Sequence, residues 1–360
     1  MVDAWRGIAA LGVVFYHLGL SFQFDLGHAS VMVFFVISGY CIAASAESCK
    51  RNNVGPAGYM WRRVRRIYPP YFFSLCFFLA TRAMKMEAGL GETLSYPAVI
   101  WIQNLTMTQW FTLLRHPLPY AYHNRSLLIA GYWSLNYEEQ FYIVMGLILF
   151  AAVYFRKAML PGIAVLMLPA FFWNITHPAI SNGFFLEYWI AFAMGCLVFY
   201  RLCRIVSLAG RLAIDTTLIF FLVLSLYEGG LARHGPRWVY SEWIVTTVFA
   251  LVLIYCRPLD RVFKESRVGI ALCGFGLITY SLYLTHQCVL RASSVAASWL
   301  IRLGLPRFAE FPIRVLVVCA VGAIFWYFCE RPFLNKPLPS RSRSNLDQTA
   351  TALPMTAIQP

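Results

Sequence analysis

The sequence predicts an all-α integral membrane protein, with about ten transmembrane helices around a central cavity and both termini cytoplasmic. Three observations lead there. The 360 residues are 59% hydrophobic and 17% aromatic but only 13% charged, with a mean hydropathy of +0.61, whereas soluble domains carry roughly a quarter charged residues. Apolar stretches long enough to cross a bilayer, roughly 17–25 residues each, recur along the chain. The basic residues gather after alternate stretches, which fixes an orientation.

The stretches lie at 5–23, 28–47, 68–86, 133–155, 159–176, 184–202, 212–230, 239–256, 268–290 and 309–329. The first, "WRGIAALGVVFYHLG", begins almost at Met1 and has no small-residue cleavage site, so it does not read as a cleavable signal. Either its cytoplasmic leader is very short or the true start lies upstream. The second contains "MVFFVISGYCIA", where Ser38 and Gly39 permit close helix approach. A basic loop, "WRRVRRIYPPY", precedes the third. Residues 94–112 are apolar but interrupted, and read as an interfacial or re-entrant helix. The fourth opens "YWSLNYEEQFYIV", placing Glu138 and Glu139 just inside the outer surface, and the ninth holds "GLITYSLYLTHQCVL". The tenth ends "WYFCERPF", where Glu330 and Arg331 are expected to fix the helix end by charge pairing. Residues 1–332 form the membrane domain, and the polar tail 333–360 reads as disordered.

About twenty of the thirty basic residues fall on one side, from Lys50 and Arg51 through Arg267 to the tail. That is the cytoplasmic side by the positive-inside rule. The net charge of +14 is therefore an orientation signal rather than a nucleic-acid surface. Ten cysteines are scattered without a Cys-x-x-Cys pair, so no metal or redox site is expected.

Ionisable side chains inside apolar spans are costly and usually mark function. Arg6 and His17 are eleven residues apart, about 1,100° of helical turn, so they share one face roughly 16 Å apart. A donor entering from the cytoplasm at Arg6 could then meet an acid/base residue near the midplane. The alternative is an interfacial arginine and a histidine satisfied inside the bundle.

The ordered motifs "VDAWRGIAALGVVFYHL", "FFVISGY", the arginine loop, "WSLNYEEQFY", "YSLYLTH" and "ERPF" resemble those of the acyltransferase family 3 membrane proteins, over nearly the full chain. That family acetylates lipopolysaccharide, exopolysaccharides and nodulation factors. Asn136 and Tyr137 occupy variable positions of the tryptophan–glutamate motif, and the hydrolase-like periplasmic domain that some relatives carry is not expected here.

The resemblance implies an O-acyltransferase in a bacterial inner (plasma) membrane. It would move an acyl group, most simply acetyl, from cytoplasmic acetyl-CoA or another acyl-CoA to a carbohydrate or lipid-linked glycan hydroxyl, with no bound cofactor. His17 would be the base, or would carry the acyl group itself, since imidazole titrates near neutrality. Arg6 would face the donor. Arg62, Arg63 and Arg66 would bind its phosphates, with Arg63 and Arg66 foremost, because guanidinium forks suit phosphate. Glu138 would orient the histidine or hold acceptor hydroxyls. Trp133 and Tyr142 would offer an aromatic surface or belong to the interfacial belt. Tyr280, Ser281, Tyr283 and His286 would line the cavity or simply pack. The rival class is a secondary transporter of a small polar metabolite, which is expected to show paired repeats with broken helices; none is visible in the sequence.

Overall fold

The computed structural model describes residues 2–20, 24–87, 96–116, 118–119, 127–177, 180–181, 183–231 and 237–334. The disordered tail expected over 333–360 lies almost wholly outside them. Its helices in chain order are α1 (Val2–His17), α2 (Leu26–Arg51), α3 (Pro56–Glu87), α4 (Ala98–Thr106), α5 (Trp110–Arg115), α6 (Trp133–Tyr154) and α7 (Leu160–Thr176). There follow α8 (Trp189–Cys203), α9 (Leu208–Leu226), α10 (Arg237–Tyr255), α11 (Asp260–Glu265), α12 (Arg267–Leu277), α13 (Thr279–Arg302) and α14 (Glu310–Phe325). A short antiparallel pairing joins Leu118–Pro119 to Ile180–Ser181.

Among the described residues, three helices are long and apolar enough to cross a bilayer: Leu26–Arg51, Leu208–Gly229 and Arg307–Phe333. The bent pair α12–α13 is a fourth if taken as one span, and several shorter apolar helices accompany them. The protein is a helical membrane protein, with a helix in each of the ten expected segments.

Three of those segments differ from expectation. The first span stops at His17, where the chain turns through Gly19 with φ +94°. His17 therefore ends its helix instead of sitting mid-span. The basic stretch before the third span is not a loop: α3 starts at Pro56 and runs through "WRRVRRIYPPY", carrying Pro69 and Pro70 within it. Pro56 at its start suits the fixed proline φ. The ninth span is broken at Ile278, where α12 and α13 meet at 70°. The sequence around the break is as apolar as a continuous helix, so hydropathy does not reveal it.

Helix starts follow local chemistry. Asp25 caps α2 by accepting from the His28 amide at 2.8 Å. Ser207 and Ser266 cap α9 and α12 in the same way, satisfying amides that the first turn leaves open. The centre of the bundle is α2 laid against α8, with α1, α6 and α10 also packed on α2. At Gly39 an added Cβ would lie 1.9 Å from the Phe192 carbonyl oxygen, and at Gly195 one would lie 1.8 Å from that of Val36. Only glycine allows the two backbones to touch this closely. The 94–112 segment forms the short helices α4 and α5. The α4 face bearing Val99, Ile102 and Leu105 is exposed, while Gln103 and Asn104 are buried.

Gly39→Ala should lower the thermal unfolding midpoint of the detergent-solubilised protein, a loss of about 1–3 kcal/mol for overpacking. Gly274→Ala, inside α12 where an added Cβ meets nothing within 4 Å, is the control and should not lower the midpoint, since alanine is the better helix former.

Candidate functional site

A cavity of about 120 Å³ opens between α1, α2, α3, α6 and the start of α13. Arg6, Ser38, Arg63, Arg66, Ser134, Glu138, Tyr142, Tyr280 and Tyr283 supply its polar lining, and Val31, Phe34, Phe35 and Ile37 belong to its apolar wall. Residues separated by more than two hundred positions thus meet at one place.

Each polar group arrives for a local reason. Because the basic stretch is helical, its four arginines fan around α3. Arg63 and Arg66, three apart, share the face turned to the cavity. Arg65 points outward and is exposed. Arg62 does not line the cavity. Arg63 donates from Nη2 to Ser45 Oγ at 2.5 Å and sits over the rings of Tyr59 and Tyr142, at 5.6 and 5.7 Å. Arg66 lies within electrostatic reach of Tyr142, Glu330 and Glu138. Arg6 pairs loosely with Asp3 at 3.7 Å, one helical turn earlier.

Glu138 accepts from Tyr142 Oη at 2.6 Å and from Ser38 Oγ at 3.2 Å. Of the two roles left open for it, these contacts do not include His17. It sits instead among the arginines. Tyr280 donates to the Ile67 carbonyl at 3.0 Å, just before the proline pair of α3. Tyr283 bonds to Ser134 Oγ at 2.9 Å and donates to the Gly131 carbonyl.

His17 does not line the cavity, and neither do His286, Ser281 or Trp133. The rings of His17 and His286 pack together with centroids 5.0 Å apart. His286 shares Nδ1 with the Tyr283 carbonyl at 2.7 Å, so the histidine pair adjoins the cavity through Tyr283. Ser281 is buried and gives both its amide and its hydroxyl to Glu330, at 3.1 and 2.6 Å. Glu330 thereby serves the open N-terminus of α13 left by the break. That corrects the expected pairing of Glu330 with Arg331, whose guanidinium stacks on Trp326 and Tyr327 instead. Trp133 stands at the start of α6, stacked 5.8 Å from His28 and packed against Tyr137 and Tyr188.

The sequence reasoning missed several polar pairs. His28 meets the buried Glu242 at 2.5 Å. Glu47 accepts from Tyr200 at 2.7 Å and Arg204 at 3.2 Å. Arg201 grips Asp215 with two bonds of 2.9 Å, and Tyr68 donates to Glu139. The signal was present, since each is a carboxylate within a largely apolar helix. Its partner, far away in sequence, was not. Among the described residues no group of three or more His, Cys, Asp or Glu is placed to hold a metal ion.

No solved structure matches the chain significantly. The chain is 24% identical over 363 residues to YrhL of Bacillus subtilis (strain 168), named as a candidate peptidoglycan O-acetyltransferase, covering 95% of this chain and 56% of that one. It is 27% identical over 327 residues to the exopolysaccharide production protein ExoZ of Rhizobium meliloti (strain 1021), covering 90% of this chain and 95% of that one. It is also 27% identical over 154 residues to the O-acetyltransferase OatA of Staphylococcus aureus (strain NCTC 8325 / PS 47), covering 41% of this chain and 24% of that one. The chain thus spans little more than half the length of YrhL and nearly all of ExoZ. The family description "Acyltransferase domain" matches residues 2–331, the same stretch that builds the cavity and the histidine pair, and the chain belongs to that acyltransferase family, family 3.

Proposed function

We propose that the protein is an O-acyltransferase of the bacterial inner membrane. It moves an acetyl group from cytoplasmic acetyl-CoA to a hydroxyl of a cell-surface or secreted carbohydrate. The observation that carries this reading is the convergence of Arg6, Arg63 and Arg66 with Glu138 and Tyr142 on one cavity, to which His17 is linked through His286 and Tyr283. Supporting it, two of the relatives are named for O-acetyl transfer and one for exopolysaccharide production.

The chemistry follows from those positions. The arginines sit in the first half of α3 and on the second turn of α1, the end that the positive-inside rule favours as cytoplasmic. Phosphate oxygens of the donor are held there by paired N–H bonds. A cavity of about 120 Å³ is far below the roughly 300–1,000 Å³ of pockets that enclose whole ligands. It suits the reacting end of the donor, a thioester with a short acyl group, and leaves the nucleotide at the mouth. His17 takes the proton from the acceptor hydroxyl as that oxygen attacks the thioester carbonyl. The C–S bond breaks, and the imidazolium returns the proton to the departing thiolate. Glu138 offsets the charge of the arginine cluster between turnovers. A transporter built on paired broken helices would need a second break to match α12–α13; among the described residues there is one such bent pair.

Three tests follow. Membranes containing the protein should transfer label from radiolabelled acetyl-CoA to extracted glycans. His17→Ala should lower that rate by about 10²- to 10⁴-fold, the usual contribution of a general base; full retained activity defeats the role. Arg63→Gln or Arg66→Gln should raise the Michaelis constant for acetyl-CoA on the order of tenfold, given that a charge-assisted bond contributes about 1.5–3 kcal/mol. An unchanged constant would leave both arginines as topology signals. Reporter tags on the two termini should both read cytoplasmic, and a split result overturns the count of ten spans.

A further inference from the structure

His286 is buried, with 1% of its surface exposed. Its Nδ1 lies 2.7 Å from the Tyr283 carbonyl oxygen of its own helix. A carbonyl can only accept, so Nδ1 carries the hydrogen and, in the neutral ring, Nε2 carries a bare lone pair. Nε2 is buried and has no hydrogen-bond partner in the structure. An orphaned buried acceptor costs on the order of 1–3 kcal/mol, so its persistence calls for an explanation.

The neighbour on offer is His17. The two ring centroids are 5.0 Å apart with planes inclined by 42°. Two imidazoles joined by an N–H···N bond of roughly 2.9 Å need centroids about 5 Å apart. The separation matches that requirement, and reorientation of the rings would bring the two nitrogens together. Such bonds are commonly misaligned before substrate arrives. Asp25 is the carboxylate within electrostatic reach of His17, but its Oδ1 is already engaged as the cap of α2. Glu138 is bonded to Ser38 and Tyr142.

We propose that His286 is a positioning residue. Its Nε2 accepts a hydrogen bond from the His17 ring and fixes the tautomer whose other nitrogen is free to take the acceptor's proton. This rests on the acyltransferase reading of His17. The tautomer of His286 is set by a backbone carbonyl and passed on to His17, a task that falls to a carboxylate in the familiar triads. No charge is needed for it, which suits a site buried in a membrane bundle.

The side-chain amides separate the two halves of this device. Asn can reproduce the Nδ1 donor to Tyr283 and offers nothing at the Nε2 position. Gln reaches the Nε2 position with an amide oxygen. In the full-length protein in membranes, His286→Asn should lower kcat for acetyl transfer about 10- to 100-fold with the donor Michaelis constant within about twofold of wild type, while His286→Gln keeps kcat within about threefold, the scale seen for outer-shell partners of catalytic groups. A merely structural histidine would make Asn, which keeps the bond to the backbone, the milder change. Equal kcat in the two variants, or a milder Asn, therefore overturns the proposal. Nitrogen-15 spectra of histidine-labelled wild type read the same device without substitution at position 286. His17 in a single tautomer supports the proposal, and an even mixture overturns it. Absence of acetyl transfer by the wild type itself would defeat the acyltransferase reading. Transfer by wild type with no Asn–Gln split would defeat only the coupling of the histidines.

Discussion

The constraint on which the rest of the structure depends is the presence of several guanidinium groups inside an apolar bundle. A cation away from water must be met by opposite charge and by hydrogen bonds, or the fold gives back more than packing supplies. Arg66 is within reach of Glu138 and Glu330, and Arg6 also faces Glu330. Glu330 is held by Ser281 at the start of α13, and Glu138 by Ser38 and Tyr142. One electrostatic knot therefore ties α1, α2, α3, α6, α13 and the turn that follows α14 together. The break between α12 and α13 fits the same account: it puts unpaired amides at the level of the knot, and a carboxylate already present for the arginines satisfies them.

The charges outside the cavity behave differently. Arg201 with Asp215 and Arg204 with Glu47 are self-contained pairs near the end of α8, each with its own carboxylate. They secure α8 to α9 and α2. Arginine–carboxylate pairing by itself thus does not mark the site. What distinguishes the cavity is that three of its lining side chains are arginines, from two helices, turned to one volume.

How much of this was legible beforehand depended on the range of each interaction. Arg6 and His17 lie on one helix, and their eleven-residue spacing put them on one face, yet His17 ends that helix and stays outside the cavity that Arg6 lines. Arg63 and Arg66 stood out by residue type alone, without the helix that gives them a common face. Glu138 and the motif order were plain, and Gly39 signalled a close helix approach. The misses concern tertiary context. The basic stretch read as a loop because four arginines and two prolines look unlike a membrane helix, yet α3 runs through them with one face supported by the cavity carboxylates. The end of α1 at His17 hung on a single turn at Gly19. The partners of Glu330 and Glu242 came from helices remote in sequence, and no periodicity encodes such a meeting. The break at Ile278 falls in the same category, since the carboxylate that meets the amide at Ser281 comes from about fifty residues away.

The glycine contact between α2 and α8 has a mechanical consequence. Two backbones in direct contact cannot slide or part without losing the whole seam, so the cavity wall formed by α2 moves only with α8. The opposite wall, α3, carries Pro69 and Pro70 at the level of the arginines, and each proline removes a backbone hydrogen bond that would stiffen that turn. The chamber has one rigid jaw and one compliant jaw, and the compliant jaw bears Arg63 and Arg66. Anything that Arg63 and Arg66 hold is therefore coupled to the width of the chamber they line.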